Sequence, residues 1–178
     1  GGIVFTNYAS GVIENFVVSL QNEYYVTRTS GPICYSNYGQ IRNGYVYSGG
    51  TGGTNGITAG SGIYGGNSSS DHGYVGAIGN NNTSGLVEDV FSLINISIET
   101  GNSMSYIGGV AGYNSGIVRN SFWVGDIYSY GYDENQKQTV STLYRTGGGI
   151  VGTKSGSATV ENLYNISLQP DPIDYGMD

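Results

Sequence analysis

The chain has 178 residues, of which 32 are Gly and 17 are Tyr, while Lys and Arg together number 6. Charged residues make up 11% of it, less than half the usual share, against 38% apolar and 12% aromatic, so the chain can bury a core and does not read as disordered. The net charge of −7, with Arg28, Arg42, Lys137 and Arg145 scattered, argues against nucleic acid or an anionic membrane as partner, and no run of 18 apolar residues offers insertion into a bilayer.

Strong helix formers are scarce, and Val, Ile, Tyr, Phe and Thr alternate with Gly and Asn, which predicts an all-β chain. One cysteine, Cys34, rules out an internal disulfide framework and a cysteine zinc cluster. The chain begins at Gly1 without a Met, and we expect a segment of a longer parent.

The elements repeat. In chain order the copies are 1–15 (GGIVFTNYASGVIEN), 31–43 (GPICYSNYGQIRN), 75–89 (VGAIGNNNTSGLVED), 108–120 (GGVAGYNSGIVRN) and 148–162 (GGIVGTKSGSATVEN). The second and fourth align without a gap, and the other three carry two extra residues at the turn. The template is a glycine pair, two apolar residues, an Asn-rich turn, Gly, an apolar pair, Glu or Arg, then Asn or Asp. Two residues further on stands an aromatic in four copies, Tyr45, Phe91, Phe122 and Tyr164, with Val17 at that place in the first. The closing positions 15, 43, 89, 120 and 162 lie 28, 46, 31 and 42 residues apart, a minimal turn with surface insertions.

Two short strands per repeat, each apolar on one face, hide that face by stacking in register. The expected architecture is therefore a parallel β-helix or β-solenoid of about five coils. It forms a single domain over 1–169, with insertions at about 47–73 and 126–146, and 170–178 as a tail or linker. Cys34, Ala111 and Val151 align and point inward. Asn15, Asn43, Asn120 and Asn162 suit an amide ladder interrupted by Asp89, the alternative being exposed turn residues. The aligned aromatics are expected to stack in the core. Glu14, Arg42, Glu88, Arg119 and Glu161 form a surface row in which Arg42 pairs with Glu14 and Arg119 with Glu88.

The stretch GGVAGYNSGIVRNSFWVGDI, Gly108 to Ile127, resembles the GLUG repeat, roughly Gly-Gly-Leu-Val-Gly-x-Asn-x-Gly-x-Ile-x-Asn-Ser-Tyr. The likeness runs through all five copies and about half the chain. It departs at Pro32 in the second copy, and the fifth has Lys154 where Asn is usual. The resemblance implies a β-helix-like fold in bacterial surface and secreted proteins, including adhesin-like proteins and the non-catalytic region of IgA1-protease-type zinc metallopeptidases.

Chemistry is sparse. His72 is the single histidine, so no His-Glu-x-x-His zinc site can be built, and its neighbour Asp71 does not make a triad. Gly60 to Gly65 matches G-x-G-x-x-G without the helix a nucleotide fold needs. Asp126, Asp133 and Glu134 offer a weak calcium reading without a known loop spacing. Alternation puts Trp123 outward beside Phe122. With Tyr128, Tyr130 and Tyr132 it forms the candidate ligand contact, packing of the second insertion being the competing reading. No catalytic, cofactor or metal residue is expected. The expected function is a non-catalytic scaffold, adhesion or ligand-binding module, extracellular or on a bacterial cell surface. Its expected partners are a host or matrix protein, a glycan, or other domains of the parent. The alternative is an accessory substrate-positioning module of a secreted zinc metallopeptidase; polysaccharide cleavage is the weakest reading.

Overall fold

The computed structural model describes residues 2–20, 24–26, 29, 31–48, 56–59, 73–100, 105–125, 127–133, 138–140, 146–147 and 149–166. Among these there is no helix, and the chain is all-β with mostly parallel pairing. The strands are β1 (Val4–Asn7), β2 (Val12–Leu20), β3 (Tyr24–Val26), β4 (Cys34–Asn37), β5 (Gln40–Ser48), β6 (Gly56–Ala59), β7 (Gly73–Val75), β8 (Ile78–Asn81) and β9 (Leu86–Leu93). They continue with β10 (Asn95–Thr100), β11 (Ser105–Ile107), β12 (Ala111–Asn114), β13 (Ile117–Val124), β14 (Ile127–Asp133), β15 (Gln138–Val140), β16 (Thr146–Gly147), β17 (Val151–Lys154) and β18 (Thr159–Ile166).

Four sheets result. The first runs β1-β4-β8-β12-β17, the second β2-β5-β9-β13-β18, the third β3-β6-β10-β14-β15 and the fourth β7-β11-β16. Among the described residues all five repeats pass from the first sheet to the second, four continue to the third and three reach the fourth, and apart from β15 each strand pairs with its counterpart one repeat away. Among the described strands only β15 runs antiparallel, against β14. The expectation of two strands per repeat is therefore too low. The stretches taken as insertions contribute β6, β7, β14, β15 and β16, which extend the third and fourth sheets. They fall between the copies of the template, where aligning the copies gives no signal.

Aligned template positions are neighbours in space. Val4 pairs with Cys34, Cys34 with Ile78, Ile78 with Ala111 and Ala111 with Val151. Cys34, Ile78 and Ala111 are fully buried, and Val4 and Val151 pack against them from either end. The core continues through Ile41, Val87 and Val118 of the second sheet.

One polar column runs through the first corner. Asn7, Asn37, Asn81 and Asn114 are all buried. Each Nδ2 donates to the next Oδ1: Asn7 to Asn37, Asn37 to Asn81 and Asn81 to Asn114, all at 2.8 Å. The same nitrogens reach carbonyls across the corner. Asn81 Nδ2 lies 3.2 Å from Gly85 O and 3.1 Å from Ile117 O, and Asn114 Nδ2 lies 3.2 Å from Thr159 O. The amides thus tie the first sheet to the second as well as one repeat to the next. Lys154 holds the fifth place, which supplies no acceptor, and the amide column stops there.

Asn15, Asn43, Asp89, Asn120 and Asn162 behave differently. All are exposed, and they are the five non-glycine residues with positive φ among the described residues, at 56°, 52°, 52°, 48° and 50°. Asn and Asp tolerate this left-handed conformation better than other side chains do. Two hydrogen bonds between side-chain amides run in this column, Asn43 Nδ2 donating to Asn15 Oδ1 and Asn162 Nδ2 to Asn120 Oδ1, and Asp89 separates them. The expected ladder is thus present in two halves on the surface; its residues are exposed, as the alternative has them, but stand within strands and not at turns. The continuous buried ladder is the other asparagine column.

These two columns should respond oppositely to mutation. Asn81→Leu removes a buried staple and leaves its partners short of bonds, so urea denaturation should show a loss of about 2–4 kcal/mol. Asn43→Gly keeps the left-handed backbone at an exposed site and should stay within about 1 kcal/mol of the parent. Equal losses would mean the two columns carry equal weight.

Candidate functional site: the outer face of the second sheet

The left-handed residue decides which side chains of the second sheet meet solvent. In a continuous strand successive side chains alternate. Here Val118 is buried, Arg119 and Asn120 both face outward, and Ser121 is buried again. The same happens at Ile41-Arg42-Asn43-Gly44 and at Val87-Glu88-Asp89-Val90. The bend breaks the regular hydrogen bonding, and Ser121 repairs it. Its Oγ accepts from Val90 N at 3.2 Å and donates to Arg119 O at 2.9 Å.

This reset inverts two expectations. The aligned aromatics do not stack in the core. Val17, Tyr45, Phe91, Phe122 and Tyr164 stand in register along the outer face. Tyr45 is 40% exposed and Tyr164 69%, while Phe91 and Phe122 are half-buried against each other, with ring centroids 4.4 Å apart. Trp123, expected outward, is 3% exposed. Its Nε1 donates to Ile94 O at 2.8 Å, and its ring lies over Gly109, where an added Cβ would fall 2.0 Å from the indole. Alternation counted from Phe122 had the right period and the wrong phase.

Trp123 is therefore a core residue, not a ligand contact. Tyr128, Tyr130 and Tyr132 have their backbone in β14, the first two paired with β10 and Tyr132 with Thr139 of β15, and their side chains lie outside the described residues. So do Asp71, His72, the glycine motif at 60–65, Asp126, the side chain of Asp133, and Glu134. Among the described residues no group of three or more His, Cys, Asp or Glu could hold a metal ion.

Beside the aromatic row runs the charged one. Arg42 Nη2 lies 2.8 Å from Glu14 Oε2, and Arg119 Nε lies 2.8 Å from Glu88 Oε1, as the template alignment predicts. Glu161 stands in register with Arg119 and completes an alternating series. These exposed pairs contribute about 0–1 kcal/mol each and act mainly on register. The face thus combines aligned aromatic side chains with carboxylates already engaged by guanidinium groups. Such an arrangement can bind a surface, whereas a general acid–base pair needs carboxylates converging on one bond.

Two further groups are set by burial. Burial pushes the Cys34 thiol from its ordinary value near 9 up to about 12, so at neutral pH it is an un-ionised apolar side chain. Tyr74 packs against Tyr106 and Tyr113, with ring centroids 5.7 and 4.9 Å away. Burial raises its phenol's pKa, and neighbouring Tyr113 and Tyr106 raise it further.

No protein-family model, no curated protein and no solved structure matches this chain.

The single tryptophan lets fluorescence report on its placement directly. Native protein should emit at short wavelength and resist acrylamide quenching, and Trp123→Ala should cost about 3–5 kcal/mol. Gly109→Ala should also destabilise, since the backbone approaches the indole too closely for a Cβ. A quenchable native tryptophan would put the ring back on the surface. For Cys34 the sign follows from a raised folded pKa. The native state keeps its proton after the unfolded state has lost it, so stability is full below pH 9 and declines from about pH 9 toward 12. Chemical denaturation between pH 8 and 11 should show a decline steeper by about 1 kcal/mol per pH unit than in Cys34→Ala. Parallel curves would contradict the buried thiol.

Proposed function

We propose that this chain is a non-catalytic parallel β-solenoid module, built of GLUG-like coils, from a bacterial cell-surface or secreted protein. It serves as a scaffold that presents a ligand-binding or adhesive face. The observation that carries the reading is the register. Five copies of one template place equivalent residues side by side in successive strands, joined by a buried column of asparagine amides. That design invests the recurring residues in stacking, and stacking buries a core that no single repeat could close.

The outer face of the second sheet is the binding surface in this reading. Tyr45, Phe91, Phe122 and Tyr164 repeat along it, rigid and apolar, bordered by alternating charge. Aromatic side chains offer contact area with little entropy to lose, which suits a host or matrix protein or a glycan.

The test is a binding screen of the purified chain against extracellular-matrix proteins and a glycan array, with Tyr45→Thr/Tyr164→Thr as the comparison. Both tyrosines are exposed, so the variant should keep its fold. The expected result is a wild-type ligand whose retention falls about tenfold or more in the variant. Equal retention would move the contact off this face, and turnover of a bound protein or glycan would overturn the non-catalytic assignment.

A further inference from the structure

Among the described residues β1 and β2 stand at the edge of their sheets, each with a single neighbouring strand, and this edge is chemically specific. Ile3, Phe5, Tyr8, Val12 and Val17 all belong to this first repeat and are 45%, 73%, 73%, 48% and 56% exposed. The ring of Phe5 already stacks on Tyr35, with centroids 4.6 Å apart and planes 10° apart, which leaves its other face for a ring beyond it. Inward-facing Val4, Ile13 and Val18 are half-buried where their register partners Cys34, Ile41 and Val46 are fully buried.

Three polar columns reach the edge with a defined sense. In the buried ladder the earlier residue donates to the later one, so Asn7 Oδ1 is the atom that would receive an amide from beyond β1. In the left-handed column the later residue donates to the earlier one, so Asn15 Nδ2 would donate outward. In the charged column the order from the edge is Glu14, Arg42, Glu88, Arg119, Glu161, so a neighbour of Glu14 continues the alternation only if it is basic.

We propose that the β1–β2 edge is a docking site for a further parallel coil of the Arg-bearing kind. That coil would have an amide donor opposite Asn7, Arg or Lys opposite Glu14, and Asn or Asp opposite Asn15. The second and fourth repeats have this combination, Asn37, Arg42 and Asn43, and Asn114, Arg119 and Asn120. The chain's own last repeat does not. Head-to-tail stacking of two copies would bring Lys154 and Asn162 to suitable partners but set Glu161 against Glu14, and like charges directly opposite destabilise a sheet pair. The edge is thus selective: it fits an Arg-type coil and disfavours a second copy of this chain.

The 178-residue chain tests this through Glu161→Arg, an exposed substitution that converts the last repeat to the fitting type; the new guanidinium also faces Arg119 across β13 and β18, so native protection of those two strands is part of the readout. Sedimentation velocity should find the parent monomeric. The variant should self-associate end to end, with at least a threefold gain in association constant. Adding Glu14→Arg to the variant should reverse the gain. Hydrogen exchange should show new protection confined at the receiving end to β1 and β2, with native protection elsewhere certifying the fold. No gain in association, a gain that survives Glu14→Arg, or protection elsewhere would overturn the proposal. This edge is separate from the aromatic face, so loss of ligand binding there leaves the sedimentation result unaffected.

Discussion

The buried asparagine column is the interaction on which the rest of the structure depends. Backbone hydrogen bonds alone do not choose a register for short parallel strands, and a slip of one residue would turn every side chain over. A side-chain amide that must meet another amide at 2.8 Å, and carbonyls across the corner besides, is satisfied in one register only. An unmet amide in that position would cost more than any single apolar contact nearby. The column therefore converts similar repeats into aligned ones, and the alignment produces the continuous core of Cys34, Ile78 and Ala111.

The second constraint is the left-handed residue midway along each strand of the second sheet. By bending the chain it puts two successive side chains outside. The strand can then devote one outward place to charge and a later one to an aromatic, while apolar residues on both sides of the bend still reach the core. Arg119 with Asn120 and then Phe122 on the outside, against Val118, Ser121 and Trp123 on the inside, is the clearest instance. The same device places the only tryptophan over Gly109, where no other residue leaves room. Core and outer face are thus set by one φ angle near 50°.

Much of this was legible before any coordinates. All-β character, the five repeats, the inward Cys34 and Ala111 and the pairing of Arg42 with Glu14 follow from aligning the copies. The reach of alternation was the weak point, because period two holds only while the backbone stays extended. The signal for the exception was present as Asn or Asp recurring between a charged and a small or apolar residue in five copies, which is the residue type that tolerates positive φ. The buried column was also visible, as Asn37 opposite Asn114 with Lys154 out of pattern. What alignment could not convey is which asparagine faces inward, since that depends on the corner and not on residue type. The third and fourth sheets were hidden for another reason: their strands lie in the connections between copies of the template, and backbone pairing with already aligned neighbours defines them.

The two corner lengths show why the repeats could diverge without losing register. In the first and third repeats the Asn reaches a glycine carbonyl four residues on, and in the second it reaches one two residues on. A side-chain amide spans both because it replaces the part of the turn that a backbone bond would otherwise fix. Extra residues then close on themselves, as Gly11 N does on Tyr8 O and Gly85 N on Asn82 O, without disturbing the strands on either side. Variation is absorbed at the corners and in the longer connections, while the amide, the bend and the inward apolar residues stay in place. A chain organised this way holds a regular outer face constant, and that regularity, more than any one residue on it, is what a large partner would meet.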